Sequence, residues 1–432
     1  MSETSLQRLH KFIDASPTPA HCAQTAAAWL HAVGFQELDP RSAPTPLQPG
    51  RGYTVTQGGA MLAFRVGAKS PTEAGFVMQA AHTDSPNLRV KPQPYVRAHG
   101  YIRLGVEVYG GAILGTWTDR DLGLAGQVVL RDGAGQRTAL VDLRRPLCRV
   151  PNLAIHLNRA VNTDGLKLNE QTHLPALFAM DTQDEAPLHT LLATELGVAA
   201  SDILAWDLSL VDLAAPVVSG ARGEFFHAPR LDNQASCHAG LEALMATLDR
   251  DLPDHTCVLA LFDHEEVGSQ SERGAGGRAL EHLLQRIVRD HEQPSVGGLE
   301  RALAHSALVS TDMTHAQHPA WPEKSEPQHQ PVLNGGPAIK QNANQRYGTT
   351  SETAARFLRA AERASVPVQW FVNRTDLACG STVGPILGAG LGVATVDVGN
   401  PMLSMHSIRE LCGTADHERM IATLTEWFAP SA

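Results

Sequence analysis

Residues 75–84 read Gly75-Phe76-Val77-Met78-Gln79-Ala80-Ala81-His82-Thr83-Asp84, and this stretch decides the fold. Apart from Gln79 it is apolar on both faces, the pattern of a strand buried inside a parallel sheet, and it ends abruptly on an imidazole and a carboxylate. Three later runs repeat the form. Cys257–Phe262 ends in Asp263-His264-Glu265-Glu266, Ala307–Ser310 ends in Thr311-Asp312, and Val393–Val398 runs through Gly399-Asn400 towards His406. Helical spacings separate them, over residues 233–248, up to Ala364, and from His417 to Phe428. Strands alternating with helices predict an α/β chain with a mixed, mostly parallel sheet flanked by helices. Thr349, with Glu352 three residues on, reads as the capping box of the helix that runs to Ala364.

The rhythm breaks after Pro92. From there to about residue 228 the pattern is of short strands and turns: Ile102–Val108, Gln127–Leu130, Thr138–Leu143 and Ile203–Val211, with a polar stretch over 158–173. The expected organisation is a discontinuous catalytic domain, 1–92 and 229–432, with an inserted β-rich domain at 93–228 that mediates assembly or lids the substrate site.

Composition limits the function. The 432 residues, 43 % of them hydrophobic, are ample for packed cores. A net charge of −10 with no basic run argues against nucleic acid as a partner. No apolar run of about 18 residues is present, so no membrane span is expected, and residues 1–11 lack the apolar region of a signal peptide. Six cysteines, widely spaced and without a CxxC pair, argue against a disulfide scaffold or zinc ribbon. The expected compartment is the reducing cytoplasm.

Ligands of open α/β sheets bind beyond the carboxyl ends of the strands. That edge here receives His82, Glu265, Glu266, Asp312 and His406, and the segment Arg230-Leu231-Asp232-Asn233 adds Asp232 at a helix start. Singly, each has an ordinary explanation: an Asp opening a helix is a cap, and adjacent glutamates are usually solvated. Together they are harder to dismiss, because adjacent acids after a buried strand repel unless a cation separates them. Imidazoles and carboxylates without thiolate suit zinc, manganese or cobalt. Five such donors exceed what one tetrahedral zinc takes, whereas a metal pair about 3.5–4 Å apart with a bridging carboxylate uses them all. A spare glutamate then serves as general base. Asp84, two residues past His82, is expected to accept the imidazole's other N–H.

These residues lie in motifs that resemble the M18 family of metallo-aminopeptidases, the aspartyl aminopeptidases, in their compact bacterial form. The motifs are Ala81-His82-Thr83-Asp84-Ser85-Pro86, Trp117-Thr118-Asp119-Arg120-Asp121-Leu122, Pro151-Asn152-Leu153-Ala154-Ile155-His156, Ala228-Pro229-Arg230-Leu231-Asp232-Asn233, Asp263-His264-Glu265-Glu266-Val267-Gly268-Ser269, Asn334-Gly335-Gly336-Pro337 and Met405-His406-Ser407-Ile408-Arg409-Glu410. The resemblance implies two zinc ions per subunit, replaceable by manganese or cobalt. Asp232 bridges them, His82 and Asp312 hold one, and Glu266 and His406 hold the other. Glu265 is the base, assisted by Asp84; spacing alone does not choose between Glu265 and Glu266. His156 is either a further metal contact or a substrate contact, reaching across from a neighbouring subunit in the latter case. Family members remove acidic N-terminal residues from peptides and assemble into homo-oligomers, commonly dodecamers. Lys340 is the expected cation for the substrate's acidic side chain. The rival reading is a dinuclear metal deacylase of small acylated amines on the same scaffold.

Overall fold

In the computed structural model, residues 3–43, 46–182, 185–291 and 296–429 are described. The chain divides into two compact units. One comprises residues up to 84, 216–405 and the stretch from 410 onward; the other comprises 85–215 together with the short segment 406–409.

The first unit is built on a nine-stranded sheet. Its order is Gln36–Glu37, Gly52–Gln57, Ala60–Arg65, Thr256–Phe262, Phe76–His82, Ala307–Thr311, Ala394–Gly399, Ala338–Gln341, Gln369–Val372. The three central pairings, joining Thr256–Phe262 to Phe76–His82, that strand to Ala307–Thr311, and that in turn to Ala394–Gly399, are all parallel. Antiparallel partners enter on both sides of this centre, so the sheet is mixed and mostly parallel, as the sequence pattern requires. Strands Phe76–His82 and Thr256–Phe262 are buried at every position, which explains their lack of alternation.

Helices Pro19–Ala32, Leu231–Ala246, Ser351–Arg363 and Asp416–Phe428 cover one face of the sheet. Ala279–His291 and Val383–Leu391 cover the other. The first layer packs tightly. A Cβ on Gly240, inside the Leu231–Ala246 helix, would lie 2.1 Å from Gln79 Oε1 and 2.8 Å from Leu259 Cδ1, so only glycine lets that helix sit so close to the central strands. A five-stranded sheet, including Phe225–Ala228 and Glu410–Gly413, completes this unit.

The second unit is a six-stranded antiparallel sheet, ordered Gly135–Cys148, Leu122–Asp132, Ile203–Asp212, Asn87–Ala98, Tyr101–Tyr109, Ala176–Met180. Its core gathers Leu88, Leu104, Leu124, Val128, Leu208 and Leu210.

Three details depart from the sequence reading. The division falls at 84/85 and 215/216 instead of 92/93 and 228/229, because Asn87–Ala98 runs as one strand across Pro92 and Phe225–Ala228 pairs with Glu410–Gly413 in the first unit. The inserted unit holds a helix, Pro187–Leu196, which buries Leu188 and Leu192. The cap of helix Ser351–Arg363 is Thr350 with Thr353, not Thr349 with Glu352. Thr349 turns inward, where its hydroxyl accepts the N–H of Asp397 at 2.9 Å.

Candidate metal centre

His82 is the last residue of its strand and is almost fully buried. Its Nε2 lies 3.4 Å from Asp232 Oδ1, 3.5 Å from Asp312 Oδ1 and 3.9 Å from Glu265 Oε2. Three carboxylates from separate segments thus face one imidazole nitrogen. His82, Asp232 and Asp312 form one set of donor atoms mutually within 4.8 Å, and His82, Glu265 and Glu266 form another.

Each member is held from behind by its own neighbours. The other ring nitrogen, Nδ1, sits 3.0 Å from the backbone carbonyl of Asp84, closer than the 3.4 Å to its carboxylate. Carbonyl and carboxylate of Asp84 thus both face this nitrogen, the main-chain oxygen making the shorter contact. The Asp84 carboxylate also accepts the backbone N–H groups of Glu265 and Glu266, both at 3.1 Å. A buried acid thus holds the turn that carries the paired glutamates. That turn leaves the strand sharply. His264 is left-handed at φ 64°, and its N–H is taken by Asp263 Oδ1 at 2.9 Å.

Asp232 opens the Leu231–Ala246 helix in a non-helical conformation (φ −84°, ψ 102°), so its side chain is not spent on capping the helix. Its N–H donates to Glu410 Oε2 at 3.0 Å, and the Asn233 amide donates to the carbonyl of Thr311 at 2.9 Å, next to Asp312. Glu410, nearly fully buried, is the positioning residue that the sequence reading missed. The signal was a carboxylate closing the His406 motif, three residues before a glycine.

Crowding these acids has a cost in their protonation. Burial first, then Asp312, Asp232 and Asp84, pushes the Glu265 carboxyl up to about 7 against the pull of His82. Burial, then Asp232, pushes Glu266 well above the ordinary carboxyl range. Burial disfavours a charged His82, but Glu265, Asp232, Asp312 and Asp84 outweigh it and raise the ring well above its usual value. Such a cluster wants a multivalent cation. Its nitrogen and oxygen donors, with no thiolate among them, fit zinc.

Lys340 is also buried. Its Nζ donates to the carbonyl of Met313 at 2.7 Å and lies 3.5 Å from Asp312 Oδ2. His406 and His156 both belong to the second unit. His406 is half-buried, with Nδ1 3.1 Å from the Gly111 carbonyl and its own carbonyl accepting from Ile113 N–H at 3.0 Å. His156 is exposed in the turn Ile155–Leu157, among the exposed side chains of Leu153, Ile155 and Leu157. No helix among the described residues is long and apolar enough to cross a membrane, and all six cysteines are free.

Known proteins give the family. Residues 12–428 match a family described as Aminopeptidase I zinc metalloprotease (M18). The chain is 45 % identical over 430 residues, covering 98 % of both proteins, to a probable M18 family aminopeptidase 2 of Pseudomonas aeruginosa (strain UCBPP-PA14). It is equally similar, over 434 residues and 99 % of each, to the protein of that name from Pseudomonas fluorescens (strain SBW25). Among solved structures, Ape4 in its complex with Nbr1 superposes with a TM-score of 0.94 at 38 % identity, covering 98 % of this chain and 85 % of that one. The mApe1 dodecamer of S. cerevisiae superposes at 0.85 with 27 % identity, covering 98 % and 95 %. With a zinc-compatible cluster at the sheet edge and a match along nearly its whole length, the chain belongs to the M18 family of zinc metallo-aminopeptidases.

Proposed function

We propose that this aminopeptidase removes acidic N-terminal residues, Asp or Glu, from peptides at a site holding two zinc ions. In this reading His82 and Asp312 hold one ion, Glu266 and His406 the other, and Asp232 bridges. The observation that carries it is the convergence of three carboxylates on the Nε2 of His82. Manganese or cobalt suits the same donors.

Zinc, when bound, supplies Lewis acidity at the scissile carbonyl and an acidified water. Glu265 would serve as general base towards the attacking water and pass its proton to the leaving amine. Asp84 fixes the Glu265-Glu266 turn through the two backbone N–H groups it accepts, so the base and its ligand neighbour keep separate positions. Lys340 gives the specificity. Its ammonium donates to the Met313 carbonyl, faces Asp312 and lies 5.5 Å from the Tyr347 ring centre, and in this reading it keeps donor capacity for a substrate carboxylate. A chain with a net charge of −10 needs such a local cation to accept an acid.

We further propose that the chain forms a homo-oligomer, a dodecamer like the S. cerevisiae relative, through its second unit. The exposed apolar side chains of Leu153, Ile155 and Leu157 support self-association. His156, between them, then reaches substrate in a neighbouring subunit.

The test is turnover of Asp-, Glu-, Leu- and Ala-chromogenic amides by zinc-loaded protein, with and without chelator. Chelator-sensitive cleavage confined to the acidic amides is expected. Cleavage of Leu or Ala amides instead removes the role given to Lys340. Silence on all four, with zinc bound, points to an acylated-amine substrate.

A further inference from the structure

On the sheet face covered by helix Ala279–His291, the first unit contains a cavity of about 390 Å³ between that helix and strands Gly52–Gln57 and Ala60–Arg65. Four side chains give it an apolar lining: Leu38, Leu62, Phe262 and Leu283, all buried. Its charged lining residues include Arg273 and Arg289, and no Asp or Glu lines it among the described residues. The acids these guanidiniums meet lie outside the cavity. Arg289 Nε is 3.2 Å from Asp290 Oδ1, while Arg286 Nε takes the other oxygen of the same carboxylate at 3.1 Å. One carboxylate therefore serves two guanidiniums. Arg273 is held loosely, 3.9 Å from Asp263 and 3.5 Å from Glu272.

The volume is that of a small-molecule site, and an apolar lining with a few convergent polar groups is how such sites select their ligands. A guanidinium fork matches a carboxylate in plane and spacing. A zwitterionic amino acid is disfavoured, because no acid lines the cavity to meet its ammonium group. A neutral molecule leaves the guanidinium capacity unused. We infer that this cavity binds a small amphipathic monocarboxylate, its apolar tail against Leu38, Leu62, Phe262 and Leu283 and its head on the arginines. Its lining shares no residue with the metal centre, and its ligand differs in class from the peptide.

Calorimetric titration of the zinc-loaded full chain with octanoate, octyl phosphate, octanol and octylamine tests this. Octanoate is expected to bind one per chain, with octanol and octylamine silent. Arg289→Ala is expected to weaken octanoate about tenfold, the loss of one charge-assisted contact. Ala279→Phe, which places a ring in the cavity from a half-buried lining position, is expected to abolish binding while zinc content and thermal midpoint stay at the wild-type level. Octanol binding as tightly as octanoate would mean a merely greasy hole and would overturn the inference. Tighter binding of octyl phosphate would replace the carboxylate with a phosphate. Octanoate binding that survives both variants but disappears with a chelator would put the carboxylate on the metal centre instead.

Discussion

Glu265 and Glu266 are neighbours in sequence, share the N–H acceptor Asp84, and are both driven towards protonation by burial. Their proposed roles nevertheless differ, one moving a proton and the other holding metal, and amide substitution separates them. Glu265→Gln keeps the shape and hydrogen-bonding reach of the side chain but cannot accept a proton. The expected outcome is an unchanged zinc content with kcat reduced about 10²- to 10⁴-fold. His82→Ala, by contrast, removes the nitrogen that three carboxylates face and is expected to lose the ion assigned to His82 and Asp312. Zinc per chain by elemental analysis, set beside kcat, distinguishes them; near-wild-type turnover in Glu265→Gln would remove the base from the scheme. At this scale much was legible in the sequence. His82, Asp232, Glu265, Glu266 and Asp312 stand out because buried strands and a helix start rarely end on such groups, and the fold brings these five together. What the sequence hid was the supporting layer. Whether Asp84 meets the imidazole by side chain or by carbonyl, and that Glu410 receives the Asp232 N–H, are matters of backbone path over long separations.

At the level of elements, the strands announced themselves by apolar runs, whereas the Thr350 cap and the helix Pro187–Leu196 did not. By pattern Thr349 with Glu352 is the better box, and burial of Thr349 against the Asp397 N–H hands the cap to Thr350. The segment 406–409 is the element with the most consequence. It groups with the second unit although the residues on both sides of it belong to the first. Arg409 anchors it, donating to the carbonyls of Ala214 and Ala215 at 3.0 and 2.7 Å. Asp212, buried beneath, lies 3.8 Å from Arg409 and takes Arg120 through both oxygens at 2.9 Å. This explains the arginine of the Trp117–Leu122 motif, which the reading of the site leaves without a role. The Gly111 carbonyl accepts from His406 Nδ1–H, which fixes the tautomer in which Nε2 would be the nitrogen offered to the proposed ion. Asp212→Asn is expected to loosen the segment and weaken zinc at the His406 position about 10- to 100-fold, as losses behind a metal ligand do. Equilibrium dialysis against buffered zinc should then show one ion held normally and one weakly. Two ions held at wild-type affinity would dissociate Asp212 from His406.

Across the whole molecule, the two-unit division was legible in outline because composition and periodicity change near Pro92 and again near Pro229. Its edges were not, since they depend on which sheet a strand joins. A buried histidine pair among helices of the first unit sets how that unit meets acid. His238 Nδ1 and His417 Nε2 are 2.8 Å apart, both rings are buried, and Arg8, bound to Glu242 at 2.7 Å, adds positive charge nearby. Burial, reinforced by Arg8, lowers His417 to about 3, and burial with His417 lowers His238 well below its usual range. Both rings are therefore neutral in the folded protein across ordinary pH. The unfolded chain, with histidines near 6.5, takes up protons below that value while the folded chain does not. Stability is thus fully present above about pH 6.5 and is lost as pH falls towards 3. At pH 5 the His417 contribution alone is about 2 kcal/mol. A His417→Gln variant keeps a polar side chain that cannot charge, so its stability should fall less between pH 7.5 and pH 5, by about that amount, in paired denaturant titrations at equal zinc. Acid release of zinc acts on both proteins alike, so the difference between them isolates the histidine. Parallel curves for wild type and variant would mean that the folded protein accommodates the charged ring, and that proton uptake in this core does not govern its acid stability.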